Sequence, residues 1–221
     1  MNGPRIVLGP AAKPLLRDVV RLHRQELKSG FLSSLGDRAL SLMFEFAVED
    51  PTATLLVAQG DDGRVTGFLL GSVDTSSFYR QFLKRKSLQA FVLVAPKLVF
   101  SPSRIRKILA TLFYPARRDV RVLPVAELMD LVVDRNVQRR GVGRALFARF
   151  LEAMAERQVP NFRITTGESL ADAHRFYEGV GAVRVSNIEV HAHQVTRVYI
   201  YETGQKSVGK RSSRASRDLP I

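Results

Sequence analysis

The sequence predicts a single α/β domain in which strand-like and helix-like segments alternate. The chain has 221 residues, a length that favours one domain, and 45% of them are hydrophobic, which suffices for a sizeable core. Apolar spacing gives the order strand, helix, helix, strand, strand, insertion, strand, helix, strand, helix, strand, strand. A glycine-bearing turn joins the fourth strand to the helix behind it. We expect the domain to cover residues 1–203, with an insertion over 79–121 and a disordered basic tail over 204–221.

The first part of the chain predicts one strand, two helices and a hairpin. Pro10 and Pro14 stand where a helix begins, because the first helical turn tolerates proline. Gly30 is typical of a helix C-terminus, and Asp50-Pro51 stops the second helix. A turn over 60–63 separates two strand-like runs, as in a hairpin. The predicted elements are a strand over 5–8, helices over 15–30 and 37–49, and strands over 54–59 and 65–73.

The part of the chain after the insertion predicts four strands and two helices. Val142, Leu146, Phe150 and Met154 recur at helical spacing and form one apolar stripe. The predicted elements are a strand over 125–133, a helix over 142–157, a strand over 162–165, a helix over 170–180, and a final pair of strands over 183–190 and 195–201.

Positive charge is concentrated in the insertion and the tail. The formal net charge is +13; residues 79–121 hold eleven Lys/Arg against one Asp, and residues 204–221 hold five against one, so the remainder is close to neutral. Apolar and cationic stretches alternate in the insertion and predict two or three basic amphipathic helices, broken at Pro96, Pro102 and Pro115.

Three interpretations of the insertion are open. It can be a helical cap over the sheet, a positive field that attracts an anionic acceptor, or a surface that makes peripheral contact with an anionic membrane. We favour a cap with a role on the acceptor side. Localised basicity also suits nucleic acid, but no recognised motif or aromatic stacking platform accompanies it, so we expect no specific nucleic-acid partner.

The composition excludes several kinds of chemistry. The absence of cysteine excludes disulfides, thiolate metal sites and a cysteine-bound acyl intermediate. The N-terminus lacks the pattern of a signal peptide, and no stretch approaches the roughly 18 to 20 apolar residues of a membrane-spanning helix. We therefore expect a cytoplasmic protein.

The four histidines do not predict a metal site. His191 and His193 are two ligands without cysteine or suitably spaced carboxylates, a weak pattern that fits a solvated hairpin better. His174 is expected on the outer face of its helix, and His23 lies on the first helix.

The turn between the fourth strand and its helix predicts an anion site. Backbone N–H groups at a helix start have no partner inside the helix, and the helix dipole adds partial positive charge there. Glycine lets the backbone approach a bulky anion such as a pyrophosphate. Three arginines add charge around the turn. The residues concerned are Gln138, Arg139, Arg140, Gly141, Val142, Gly143 and Arg144.

Two motifs in order resemble the GNAT acetyltransferase superfamily. Its Arg/Gln-x-x-Gly-x-Gly/Ala signature is matched by residues 138–143, Gln-Arg-Arg-Gly-Val-Gly. Its A-x-x-F-Y-E-K-x-G-F landmark is similar to residues 173–182, Ala-His-Arg-Phe-Tyr-Glu-Gly-Val-Gly-Ala. A lone glycine turn would be weak, whereas two matches at the family's spacing are specific. The resemblance covers residues 4–78 and 122–203, and the segments 22–36 and 78–80 also resemble a bacterial branch near polysaccharide biosynthesis.

The resemblance implies a fold, a co-substrate and departures from the family pattern. It implies a mixed, mostly antiparallel sheet of six to seven strands flanked by helices and splayed between the fourth and fifth strands, with acetyl-CoA in the split. Dimers are frequent in the family. Leu170 replaces an asparagine that often contacts the co-substrate, and Ala182 replaces the final phenylalanine.

The resemblance also implies which backbone groups hold acetyl-CoA. Leu131 and Val133 would pair with the pantetheine arm as an added strand does, and amides from Arg139 through Arg144 would hold the pyrophosphate. A backbone amide between Leu131 and Val133, Val132 included, could donate to the oxyanion.

Transfer to an amine needs a base and an acid. Glu127 is the leading candidate for the base because glutamate stands at a similar position in histone-type members, and Asp130 is its rival. On a regular strand these two residues face opposite sides, so only one would face the cleft unless a bulge intervenes. Tyr177 stands at the family's general-acid position. His23 lies on the helix that borders the acceptor side in this family.

The sequence thus predicts transfer of an acetyl group to a primary amine of an unidentified acceptor. The acceptor is expected to be a small molecule such as an amino sugar or an anionic sugar conjugate. The alternatives are a catalytically silent acyl-CoA-binding module and a basic protein that binds nucleic acid or a membrane surface.

Overall fold

A mixed seven-stranded sheet organises the protein. The computed structural model describes residues 3–27, 36–99, 123–191 and 194–204. The strand order is β1-β2-β3-β4-β5-β7-β6, and every neighbouring pair is antiparallel except β4 and β5, which are parallel. The strands are β1 (Arg5–Leu8), β2 (Ala53–Gln59), β3 (Val65–Ser72), β4 (Glu127–Val133), β5 (Asn161–Gly167), β6 (Val183–His191) and β7 (Gln194–Glu202). The predicted mixed sheet is confirmed.

In the described ranges five α-helices flank the sheet, and two short 3₁₀ segments lie at Gly9–Leu15 and Arg135–Val137. The helices are α1 (Leu16–Glu26), α2 (Asp37–Glu49), α3 (Thr75–Val99), α4 (Val142–Glu156) and α5 (Ala171–Gly179). Their order confirms the prediction. Several strand and helix boundaries shift by one or two residues, and α1 ends well before the predicted residue 30, at Glu26, because Leu27 leaves the helical region at φ −109°, ψ 66°. Gly30, the predicted terminus, lies outside the described residues.

The two faces of the sheet carry separate hydrophobic cores. On one face α1, α2 and the start of α3 pack around Phe44, Phe68 and Phe78. On the other face α4 and α5 pack around Phe150 and Phe162. Side chains of a strand alternate between faces, so the successive residues Leu131 and Val132 of β4 serve different cores: Val132 belongs to the first, and Leu131 packs against the second. The middle of β4 is thus fixed from both sides.

A β-bulge interrupts this alternation on β4. Leu70 of β3 pairs with Asp130 and the adjacent Gly71 pairs with Leu128, so Met129 is an extra residue. A bulge turns the side chains that follow it to the opposite face and bends the strand. Gly71 faces the bulge closely: a Cβ there would lie 2.4 Å from Phe150 Cε2 and 3.0 Å from the Glu127 carbonyl oxygen.

The insertion begins as one long helix, which corrects two predictions. Helix α3 continues through Pro96 to Val99, so the chain does not break there. Proline removes a single backbone hydrogen bond, and near the end of a 25-residue helix this loss does not stop the helix. The helix is not basic over its full length, because the cations cluster in residues 80–86 and residues 87–99 carry only Lys97. Residues 100–122, with Pro102 and Pro115, lie outside the described part.

Within the described ranges, no helix is both long and apolar enough to cross a lipid bilayer.

His174 is buried, whereas the sequence placed it on the outer face of its helix. The ring is 5% exposed, its Nδ1 lies 2.9 Å from the Tyr199 hydroxyl, and its Nε2 lies 3.1 Å from the Glu168 carbonyl oxygen. The Tyr199 hydroxyl also donates to Glu178 Oε1 at 3.1 Å. The prediction was wrong because β7 covers this face of α5 and supplies the hydroxyl that pairs with the imidazole.

Gly71→Ala should destabilise the fold by about 1–3 kcal/mol, because the added methyl overlaps Phe150 and the backbone of the bulge. Urea unfolding followed by circular dichroism measures the loss. Gly3→Ala is the matched control, since a Cβ there meets nothing within 4 Å. Equal stability of the two variants would contradict a tightly packed bulge.

Candidate active site

Strands β4 and β5 separate soon after they meet. They pair only at Glu127 with Arg163 and at Leu128 with Ile164. Beyond this point β4 stays paired with β3 through Val133, and β5 stays paired with β7 through Gly167. The edge of β4 that faces β5 is therefore open over its last residues. An extended molecule can add to such an edge as a strand does, as predicted for Leu131, Val132 and Val133.

The turn after β4 exposes backbone amides at the mouth of this opening. Arg139 (φ 62°) and Gly141 (φ 89°) both have left-handed backbone, a conformation that a non-glycine residue adopts rarely and most often at functional positions. No side chain caps the start of α4. The amides of the first helical turn, from Val142 through Arg144, are therefore without helical acceptors.

The turn has the room and the charge for an anion. A Cβ on Gly141 would meet no atom within 4 Å, so the space in front of the turn is open. Arg139, Arg140 and Arg144 are exposed, and the Gln138 side chain donates to the Val133 carbonyl oxygen at 3.2 Å, which ties the turn to the strand. Gly143 differs: its Cβ would make only ordinary contacts of 3.6 Å, so close packing does not demand glycine there.

The bulge on β4 brings both candidate bases to one face. Burial is the main reason that the pKa of the Tyr79 phenol is raised, and the charges of Glu127 and Asp130 add to the rise. Both carboxylates therefore lie near the same ring at the start of α3. The sequence left open a regular strand, with Glu127 and Asp130 on opposite faces, and a bulged strand, with both on one face. The structure has the bulged strand.

Glu127 is occupied by partners. Its Oε2 accepts hydrogen bonds from Arg163 Nε at 3.0 Å and Nη2 at 2.7 Å, and its Oε1 accepts one from the Thr165 hydroxyl at 3.1 Å. Both side chains of the ion pair are mostly buried. Because both oxygens are engaged, Glu127 joins β4 to β5 at the base of the opening and is poorly placed to take a proton.

Asp130 differs from Glu127 because one of its oxygens accepts no hydrogen bond from the described residues. Its side chain is 12% exposed, and its buried Oδ2 has no hydrogen-bond partner among the described residues. Burial, reinforced by the charge of Glu127, raises the pKa of Asp130 to about 7. A group with a pKa near the ambient pH can both take and release a proton.

Tyr177 on α5 is a buried member of the core on the second face of the sheet. It is 6% exposed and packs against the rings of Phe176 and Tyr199, with centroids 5.5 and 6.1 Å away. Burial raises the pKa of Tyr177, and the nearby charge of Asp130 raises it further. The phenol thus stays protonated and able to donate.

The structure adds residues that sequence reasoning missed. Arg163 and Thr165 hold Glu127, and Tyr79 lies beside both carboxylates. Strand β5 carries no motif that would single out its two residues, and the resemblance of the segment 78–80 to a bacterial branch gave Tyr79 no role in the site. In the described part of the chain, no group of three or more His, Asp or Glu side chains is arranged to hold a metal ion.

The fold is similar to those of solved acetyltransferases. An N-acetyltransferase from Staphylococcus aureus Mu50 has a TM-score of 0.57 at 9% identity, with 90% of this chain and 99% of that chain covered. Ard1 from Thermoplasma volcanium gives 0.55 at 16% identity, covering 89% and 97%. The ribosomal-protein-S18-alanine N-acetyltransferase from Escherichia coli gives 0.54 at 11%, covering 94% and 100%. At these identities the likeness shows the fold. No curated protein sequence matches significantly.

The family is shown by the sequence match. Residues 17–182, well over half of the chain, match the model described as the Acetyltransferase (GNAT) family. The match includes the glycine turn, Asp130 and Tyr177. The protein therefore belongs to the GNAT acetyltransferase family.

Proposed function

We propose that the protein transfers an acetyl group from acetyl-CoA to a primary amine of a small molecule. The observation that carries the proposal is the open edge of β4, which has the uncapped start of α4 at one end, Asp130 on the strand, and Tyr177 near enough to sense the charge of Asp130. The site supplies an anion-binding turn, an edge for an extended arm, a free carboxylate and a protonated phenol. Together these match the needs of acyl transfer from a thioester that carries a diphosphate.

The turn of residues 138–144 fits the pyrophosphate. Unpaired amides and the dipole of α4 favour negative charge, and the space in front of Gly141 is open. The three arginines add donors that suit phosphate oxygens. The pantetheine arm would then run along Leu131, Val132 and Val133, toward Asp130.

Asp130 and Tyr177 divide the proton transfers. Asp130 takes a proton from the amine nitrogen as the new C–N bond forms. A backbone amide of β4 donates to the oxygen of the tetrahedral intermediate. Tyr177 gives its proton to the sulfur as the C–S bond breaks, and solvent returns the proton from Asp130 to the phenol. The products are an amide and a free thiol, so protons and charge balance.

The surroundings of Asp130 restrict the acceptor. Asp130 and Glu127 carry negative charge, and Arg163 offsets only one of them. An anionic group next to the reacting nitrogen would be repelled, whereas an uncharged amino sugar would not. If the acceptor is an anionic sugar conjugate, its charge must lie away from Asp130, for instance near the cations of residues 80–86.

Asp130→Asn should lower kcat/KM by at least about 100-fold, because an amide cannot accept the amine proton. In the wild type, kcat/KM should fall as the pH drops below about 7, since Asp130 is then protonated. Initial rates of thiol release over a panel of primary amines, between pH 5.5 and 9, measure both effects. Full activity of the variant would remove Asp130 from the mechanism and favour Glu127.

A loss of folding would not explain low activity of the Asp130→Asn variant. The native pKa of Asp130 is raised above the roughly 3.9 of an unfolded chain, so its ionisation costs native stability as the pH rises through about 7. Asp130→Asn should therefore be at least as stable as the wild type at pH 8 in thermal unfolding. Glu127→Gln is the matched comparison and should lose stability instead, because it breaks the ion pair with Arg163.

Tyr177→Phe should lower turnover with little loss of affinity for acetyl-CoA, because the ring keeps its packing and only the acidic proton is lost. Stopped-flow thiol release and calorimetry with acetyl-CoA separate the two quantities. An unchanged rate would leave Tyr177 as a core residue only.

Replacement of both Arg140 and Arg144 by alanine should weaken acetyl-CoA binding by about tenfold or more and reduce its dependence on salt. Calorimetry at 50 and 300 mM NaCl measures both. Arg149→Ala is the control on the same helix: this side chain pairs with Glu152 at 2.7 Å and should not affect binding. Equal affinities of the double variant and the wild type would show that the arginines are merely solvated, and no binding by the wild type would end the proposal.

A further inference from the structure

His23 and Asp130 face each other across the interface between α1 and β4. His23 Nε2 lies 4.0 Å from Asp130 Oδ2, and the two side chains are 1% and 12% exposed. His23 Nδ1 and Asp130 Oδ2 are both buried, and neither has a hydrogen-bond partner within the described residues. Buried polar atoms without partners are rare in folded proteins and call for an explanation.

The imidazole is held in one orientation. It stacks on Phe68 at a centroid distance of 6.2 Å with 24° between the planes, and Phe44 contacts it edge-on at 6.0 Å. Both phenylalanines are fully buried. Helix α1 packs directly on β4. The His23 imidazole is therefore the group that faces the buried side of the Asp130 carboxylate.

The protonation state of His23 follows from its burial, which lowers the pKa of the imidazole to about 4. The ring is therefore neutral at neutral pH and carries one N–H. Nδ1 has no acceptor in the described surroundings, whereas Nε2 faces a carboxylate oxygen. The proton is accordingly placed on Nε2, where it can be donated.

The two oxygens of Asp130 have different environments. Oδ2 is buried and faces His23, so it contributes nothing to the exposed surface of the Asp130 side chain. The exposed surface therefore belongs to the other atoms of the side chain. The interatomic distance of 4.0 Å exceeds a hydrogen bond, and a movement of about 1 Å as Asp130 ionises would bring the two atoms into hydrogen-bond range.

We propose that His23 is a positioning residue that donates a hydrogen bond from Nε2 to Oδ2 of ionised Asp130 and so keeps the other oxygen turned toward the acceptor amine. This deepens the proposed function, on which its catalytic meaning rests. His23 stabilises the carboxylate form without carrying charge itself, so Asp130 remains a base near neutral pH despite its burial.

Other charged groups around Asp130 do not provide this contact. Those that face it from the adjoining elements, His23 aside, are Glu127 on β4, Arg163 on β5, Tyr79 on α3 and Tyr177 on α5. Arg163 is engaged by Glu127, and the charge of Glu127 opposes ionisation of Asp130.

Titration of the Asp130 carboxyl carbon by ¹³C NMR tests the proposal without any acceptor or acetyl-CoA. The Asp130→Asn spectrum assigns the resonance. In His23→Phe the midpoint should rise by about half a pH unit or more, because the donor is lost. In His23→Gln, whose side-chain amide can supply the donor, it should stay near the wild-type value. Val19→Ala, which trims the buried face of α1 one turn away, should leave the midpoint unchanged.

A midpoint that is the same in His23→Phe and the wild type would overturn the proposal. If His23→Phe does not fold, ¹⁵N NMR of the wild-type imidazole decides: the proposal requires the Nε2–H tautomer, and the Nδ1–H tautomer would overturn it. These readouts concern only the two side chains. They stand apart from the proposed function, which fails separately if the wild type neither binds acetyl-CoA nor releases thiol with any amine.

Discussion

The extra residue in β4 is the constraint on which the site depends. Met129 has no partner on β3, so Glu127 and Asp130, which a regular strand would direct to opposite faces, share one face. This places Asp130 against α1 and beside Glu127. It also bends β4 where the strand leaves β5. Gly71 allows the bulge, because any side chain at that position would meet Phe150.

The two carboxylates then serve opposite purposes. Glu127 is satisfied on both oxygens and joins the two parallel strands at the only place where they pair. Asp130 lies farther along, where the strands have separated, and burial without a partner costs native stability. Such a cost is common at functional sites, where chemistry requires a group that the fold alone would not keep. Tyr177 comes from the other core, so the split is where groups from both faces meet.

Most elements of the fold could be predicted from the sequence because apolar periodicity and turn residues act locally. The helix over 37–49 and the hairpin around residues 60–63 are examples. The turn of residues 138–144 could also be singled out as a candidate anion site, since its glycine and arginines are contiguous. The long helix through Pro96 could not be predicted, because the presence of a proline does not show how many helical residues precede it. The burial of His174 depends on Tyr199, 25 residues away, and the choice between Glu127 and Asp130 depends on a bulge and on Arg163 from another strand. Such contacts have no local signature.

A crystal structure of the protein with acetyl-CoA tests the central claim most directly, namely that the opening between β4 and β5 is the site of acyl transfer. The account predicts the pyrophosphate on the amides of Val142 to Arg144, the pantetheine along the free edge of β4, and the thioester carbon between Asp130 and Tyr177. A complex in which acetyl-CoA binds elsewhere, or in which the thioester lies away from Asp130, would contradict it.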